Sequence, residues 1–364
     1  MIKCNGCGAI IQDKDETKAG FVPKINDKTK YCMRCYKMIH YNVLPKIIAT
    51  NEDYARVIDN VLKKDGLIVY VVDIFQFKNT FRDDMIERLR GKNVILVANK
   101  FDIFPHSTVP SKIVDWLNYQ CMAKSFKVLA SIVVSSKSGL FIKDLLSLID
   151  MFRFDDKDVY FVGSANVGKS SLINAIIKDA YSIKIDTIST SVIPGTTLNE
   201  INIPFFSDNS KLVDTPGLIN DYDVLGKLLP VSYSKIMPKT ELKPKTYPLD
   251  DNLAIFIGGL ASFEVLDKGD AKAIIYASND INIHKTNRSR VKDLFDSRIG
   301  DILTPPTKDE VKNINYVEKE IIFDGVKKKS IWFSGFGFIT ILGKCKIKVR
   351  YIEGTEVLIT NAII

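Results

Sequence analysis

Gly163, Gly168, Lys169 and Ser170 have the types and spacing to hold a polyphosphate, within Gly163-Ser164-Ala165-Asn166-Val167-Gly168-Lys169-Ser170-Ser171. In the pattern G-x-x-x-x-G-K-S, the two glycines permit a tight loop and bring its backbone N–H groups close to phosphate oxygens. Lys169 supplies positive charge to the β- and γ-phosphates, and Ser170 supplies a hydroxyl for Mg²⁺. Such a loop needs a strand before it and a helix after it. Val159-Tyr160-Phe161-Val162 reads as a buried strand, and Leu172-Ile173-Asn174-Ala175-Ile176-Ile177 keeps helical spacing.

Other loops with nucleotide chemistry follow other apolar runs. Lys211-Leu212-Val213 runs into Asp214-Thr215-Pro216-Gly217, a D-x-x-G pattern: Asp214 for the outer Mg²⁺ shell, the Gly217 N–H for the γ-phosphate. The polar stretch 187–199 holds Pro194-Gly195-Thr196-Thr197 and suits a switch loop, with Thr197 favoured over Thr196 as the Mg²⁺-seeking threonine. Val94-Ile95-Leu96-Val97-Ala98 reads as a strand ending in Asn99-Lys100-Phe101-Asp102, an N-K-x-D pattern. Its aspartate accepts hydrogen bonds from N1–H and the 2-amino group of guanine. Adenine lacks those donors, so an ATP-using protein is disfavoured. Residues 131–134 form a further strand-like run leading to Ser135-Ser136-Lys137-Ser138-Gly139, similar to the S-A-K loop that meets guanine O6; a helix over 140–151 follows. Leu67-Ile68-Val69-Tyr70-Val71-Val72-Asp73 reads as a buried parallel strand ending in an acid, with a helix after it around 83–90.

Cys4-Asn5-Gly6-Cys7 and Cys32-Met33-Arg34-Cys35 are two C-x-x-C knuckles. Four thiolates so paired suit a closed tetrahedral Zn²⁺ site that holds together a piece too small for its own core. Two disulfides or unligated thiols are the alternatives, and a cytosolic setting disfavours the disulfides. Cys121 and Cys345 stand alone and read as small core residues.

The order of these loops is unusual. A Ras-like chain runs P-loop, switch threonine, D-x-x-G, N-K-x-D, S-A-K, whereas here N-K-x-D and S-S-K precede the P-loop. The domain therefore reads as circularly permuted, which keeps the sheet and the pocket while moving the termini.

With its N-terminal four-cysteine segment, its Asn166-Val167-Gly168-Lys169-Ser170 and its Pro194-Gly195-Thr196-Thr197-Leu198, the chain resembles the YqeH-type circularly permuted GTPases of ribosome assembly over nearly its whole length. The helical spacing of Ile47, Tyr54, Val57, Ile58, Val61 and Leu62 reads as a helical linker at 43–65, and a Pro- and Lys-rich stretch marks a linker at 223–252. The resemblance implies an α/β architecture: a treble-clef-like zinc finger at 1–42, a permuted Ras-like P-loop GTPase domain at 66–222 and a mainly β (α+β) domain at 253–364. It implies GTP and GDP as ligands, and a small (30S) ribosomal subunit or its precursor, with its rRNA, as partner; neither membrane nor DNA is expected. Leu218 stands where Ras-like enzymes carry a water-orienting glutamine, so another group must serve; the resemblance implies that Asn166 ligates K⁺ beside the phosphates, the alternative being a hydrogen bond within the loop. Ser136 replaces the usual alanine of S-A-K, which leaves the backbone contact possible.

The chain has 364 residues, 46% of them apolar, and a net charge of +8. These values describe a globular protein of two or three domains with a mild bias toward anionic partners. The apolar runs are too short for a bilayer span and the N-terminus lacks a signal-peptide core, so the expected location is the cytoplasm. Beyond 253 several short β-like runs are separated by turns: 273–277, 281–284, 330–333, 336–342 and 345–351. The basic stretches 284–290 and 327–329 could meet phosphates, although no stacking-aromatic RNA motif accompanies them. Two functions remain: a GTP-hydrolysing switch, or a zinc-stabilised RNA-binding scaffold in which the nucleotide is structural. Lys169, Ser170, Thr197, Asp214 and Gly217 together favour the switch.

Overall fold

The computed structural model describes residues 4, 10–15, 20–26, 29–33, 51–154, 156–181, 200–217 and 228–364. These divide into two compact units. The first is drawn from Met1–Ile74, Thr80–Phe101 and Pro110–Ile219, the second from Phe75–Asn79, Asp102–Val109 and Asn220–Ile364.

The first unit is built on a six-stranded sheet. Helix α1 (Asn51–Leu62) leads to β1 (Gly66–Asp73), α2 (Asp83–Leu89), β2 (Val94–Asn99), α3 (Pro110–Ala123), β3 (Ala130–Val133), α4 (Ile142–Phe152), β4 (Asp158–Val162), α5 (Lys169–Tyr181), β5 (Ile201–Pro204) and β6 (Lys211–Asp214). The sheet order is β3-β2-β1-β4-β6-β5. All neighbours are parallel except β5, which runs antiparallel to β6. β1 and β2 are apolar and buried along nearly their whole length because helices cover both faces of the sheet. Ile142, Leu145 and Ile149 of α4 and Leu172, Ile173 and Ile176 of α5 close over Leu67, Val69, Val71, Ile95, Val97 and Phe161 on one face. Parallel strands put their C-terminal ends along one edge, so the loops after β1, β2, β3, β4 and β6 all emerge there. Chain order does not affect that convergence.

The second unit adds α6 (Pro230–Ile236), β7 (Lys245–Pro248), β8 (Leu253–Ile257), β9 (Ala261–Asp267), β10 (Lys272–Ala277), β11 (Ile283–Asn287), α7 (Val291–Arg298), β12 (Tyr316–Asp324), β13 (Lys329–Phe333), β14 (Gly337–Leu342), β15 (Lys344–Ile352) and β16 (Val357–Asn361). They form two antiparallel sheets, β16-β13-β14-β10-β7 and β11-β8-β9-β15-β12. Phe263, Val265, Ile275, Phe333, Ile339, Ile347 and Val349 share one core. β15 alternates buried and partly exposed residues as a one-sided strand should, but β8 is buried throughout. Its second face carries Ala254 and Phe256, which Val291 and Leu294 of α7 cover together with Ile299 and Leu303. The second face of β14 is likewise filled: Phe338 stacks on Trp332 at 4.1 Å and Tyr276 at 4.5 Å, and Phe104 lies 6.1 Å away.

Among the described residues no helix is long and apolar enough to cross a membrane.

Candidate functional site

β4 ends at Val162 and the chain turns sharply at Gly163, whose φ is 150°. A Cβ there would lie 2.2 Å from the Val71 carbonyl oxygen, so only glycine fits beside β1. Asn166 takes the left-handed conformation that asparagine tolerates better than most residues, with φ 61°. At Gly168, φ 92°, a Cβ would come within 2.4 Å of Asn99 Nδ2. The loop then opens into α5 with its backbone donors and the positive helix end together.

Lys169 folds back over this loop and donates from Nζ to the carbonyls of Gly163 (3.1 Å) and Ser164 (3.0 Å). It is only 7% exposed, and burial pushes its ammonium pKa down to about 8 against the opposing pull of Asp214. Phosphate oxygens would supply the countercharge this lysine lacks and raise its pKa on binding. Nucleotide binding should therefore take up a proton above pH 8, and affinity should fall by up to about one log unit per pH unit between roughly pH 8 and 10. Below about pH 7 the lysine is protonated in both states and its contribution is flat. Calorimetry in buffers of different ionisation enthalpy measures the uptake directly.

Ser170 Oγ donates to Asp214 Oδ2 at 2.6 Å. Asp214 is wholly buried, its carboxyl is shifted upward by desolvation, and its Oδ1 finds no hydrogen-bond partner among the described residues. A buried carboxylate oxygen left over beside a serine hydroxyl is the donor set that a hydrated Mg²⁺ satisfies. Thr215 is tied back to β4 through its hydroxyl, 2.7 Å from the Phe161 carbonyl. Gly217 lies against the P-loop, where a Cβ would meet Ala165 Cα at 2.6 Å.

Asn99 joins three loops. Its Nδ2 donates to the Val167 carbonyl of the P-loop (2.9 Å) and to Ser136 Oγ (3.2 Å), while its Oδ1 accepts from the Ser136 N–H (3.0 Å). Ser135 Oγ accepts from the Ser138 N–H at 3.0 Å and shapes the S-S-K turn, in which Lys137 is exposed. Lys100 follows Asn99 with φ 69°, and Asp102 is half-exposed in the single turn Phe101–Ile103. Asp73, read from the sequence only as the acidic end of a strand, lies 2.6 Å from Lys100 Nζ. An acid closing an otherwise apolar buried run is the signal that could have found it.

Thr196, Thr197, Leu218, Cys7 and Cys35 lie outside the described residues. Cys4 and Cys32 are both buried beside Ile11 and Val22, and the Cys32 N–H donates to Cys4 Sγ at 3.1 Å. Among the described residues no group of three or more potential ligands is placed to hold a metal ion. In the basic stretches, Arg288 donates to the Val265 carbonyl at 2.9 Å and Lys329 to Asn361 Oδ1 at 3.0 Å. Lys285, Arg290, Lys327 and Lys328 are exposed.

Residues 158–240 match a family model described as a 50S ribosome-binding GTPase, and residues 270–363 one described as YqeH-like, C-terminal. Over 366 aligned residues the chain is 33% identical to the Bacillus subtilis protein YqeH, covering 100% of this chain and 99% of that one. A protein of Oryza sativa subsp. japonica named putative nitric oxide synthase is 26% identical across 84% of this chain and 62% of its own length. GTPase Der of Mycoplasma mycoides subsp. mycoides is 31% identical over 43% of this chain and 35% of its own.

Proposed function

Because the chain belongs to the YqeH family of GTPases, we propose that it is a GTP-hydrolysing switch, slow on its own, that acts in assembly of the small (30S) ribosomal subunit. The observation that carries the switch reading is the pair Ser170 and Asp214, with a buried oxygen that finds no partner among the described residues, beside a Gly217 held against Ala165. A nucleotide bound only as a structural ligand would not need this apparatus for Mg²⁺ and the γ-phosphate. Ser170 and Thr197 would hold Mg²⁺, with Asp214 acting through water. The ion would neutralise charge on the phosphates.

The same reading makes the domain a circular permutation of the Ras-like order. Its support is that β1, β2 and β3 precede β4 in the chain yet line up in the sheet as β3-β2-β1-β4, leaving β6 with its D-x-x-G loop on the other side of the P-loop strand. We further propose a Zn²⁺ on Cys4, Cys7, Cys32 and Cys35. The N–H donated to Cys4 Sγ favours the thiolate that such a site requires. The exposed lysines and arginines at 285, 290, 327 and 328 would meet rRNA phosphates, and the location would be the cytoplasm.

Small and large subunits are separated by one experiment. The full chain should co-sediment with 30S particles, and not with 50S, more strongly with a non-hydrolysable GTP analogue than with GDP. Its multiple-turnover hydrolysis should rise when those particles are added. Equal sedimentation in every nucleotide state would overturn the switch, and preference for 50S would overturn the subunit.

Asn166, at φ 61°, would hold K⁺ beside the phosphates, whose charge would stand in for an arginine at the β–γ bridge. Hydrolysis should then be faster in potassium than in sodium at equal ionic strength, and Asn166→Ala should remove most of the difference while retaining GDP. Equal rates in the two salts would remove the ion from the mechanism.

A further inference from the structure

β1 carries seven apolar or glycine residues and then Asp73, whose side chain is only 3% exposed. Burying a carboxylate is costly unless a partner and hydrogen bonds hold it. One partner is Lys100, one residue past the end of the neighbouring strand, with Nζ 2.6 Å from Asp73 Oδ2. The parallel register pairs Asp73 with Asn99, so this contact follows from the way β1 and β2 align. Lysines at a surface ordinarily send the ammonium to water and leave the stem behind. Lys100 does the reverse: its side chain is 32% exposed overall, yet its charged end is drawn to a buried oxygen.

The backbone around Asp73 is fixed from several directions. Its N–H donates to Thr80 Oγ1 at 3.1 Å, and that hydroxyl donates back to the Asp73 carbonyl at 3.3 Å. The Thr80 carbonyl in turn accepts from the Tyr70 hydroxyl at 2.8 Å, and the Ile74 N–H reaches across to the Asn99 carbonyl at 3.2 Å. Against this frame Lys100 sits at φ 69°, a conformation a non-glycine residue holds only when its surroundings impose it.

We propose that Asp73 is a positioning residue of the guanine-recognition loop, its buried carboxylate holding the Lys100 ammonium so that the stem of Lys100 and the carboxylate of Asp102 are presented to the base. The inference rests on the reading of residues 99–102 as that loop. On this proposal Asp73 would act through Lys100 and would touch neither base nor phosphate. Its effect is on where the loop stands before nucleotide arrives, and hence on affinity and base selection, not on hydrolysis.

The test uses the full chain with Asp73→Asn, Lys100→Met and the double variant, read by GDP, GTP and ADP binding and by hydrolysis at saturating GTP. Losing one charge-assisted bond of this kind is worth about a tenfold change in affinity. Asp73→Asn should weaken GDP and GTP together by about that factor, narrow the GDP-to-ADP ratio by a similar factor, and leave kcat within about twofold. In the Lys100→Met background Asp73→Asn should add nothing. An unchanged thermal midpoint without nucleotide verifies that the variant keeps its fold. Wild-type GDP affinity in Asp73→Asn, or an equal loss for GDP and ADP, overturns the proposal. A wild-type chain with no preference for GDP over ADP overturns the guanine reading beneath it.

Discussion

Gly217→Ala is expected to lower GTP hydrolysis by about 100-fold or more while leaving GDP affinity within about threefold, the scale set by losing one aligned N–H donor to a transition state. The reason is spatial. A Cβ at 217 would stand 2.6 Å from Ala165 Cα, 2.7 Å from Ala165 N and 2.8 Å from Lys169 Nζ. No real Cβ tolerates the two backbone distances, so the loop after Asp214 must retreat from the P-loop. On the proposed reading GDP would need only the P-loop and the base loop, whereas the γ-phosphate would need the Gly217 N–H as well. Single-turnover hydrolysis beside fluorescent-GDP titration separates the two effects. A variant that hydrolyses GTP within about fivefold of wild type would show that this glycine does not approach the γ-phosphate.

Asp102→Asn should weaken GDP and GTP by about 100-fold or more and improve xanthosine nucleotides, because a site built on a specific hydrogen bond rejects the ligand that leaves it unmatched. The aspartate carboxylate is acceptor-only and on the proposed reading would face two donors on guanine; asparagine would put an NH₂ against one of them. Xanthine carries an oxygen at position 2, which that NH₂ can serve. Competition binding with GDP and xanthosine diphosphate measures the exchange. Unchanged GDP affinity would remove Asn99-Lys100-Phe101-Asp102 from the pocket.

The loops themselves were legible before any coordinates, because each places a local demand on its residues. Gly163 and Gly168 stand at φ values of 150° and 92° with no room for a Cβ, Ser170 and Asp214 meet as their patterns require, and Asn99 closes on both neighbouring loops. β1 and β2 were legible for a related reason, since a strand covered on both faces is apolar throughout.

Elements stabilised mainly from across the sheet were less so. β12 carries Glu318, Lys319 and Glu320 and is held as a strand by β15, which sets Arg350 directly opposite Glu318 and brings Lys346, opposite Ile322, to a diagonal ion pair with Glu320 at 2.7 Å. β11 begins at Ile283, later than its apolar residues suggested, because Ile281 is spent in a turn whose N–H bonds to the Ser278 carbonyl.

What the amino-acid order determined by itself was the inventory: a phosphate loop, a D-x-x-G loop and an N-K-x-D loop, each behind an apolar strand, because backbone curvature and burial act within a few residues of one another. Tertiary structure decided their company. Asp73 and Lys100 are 27 residues apart and Asn99 and Val167 are 68 apart, and their contacts arise from the register of β1 on β2 and from the shared edge at which parallel strands end. No spacing rule within the chain encodes that register. It is set by which apolar faces the helices cover, a property of the assembled sheet.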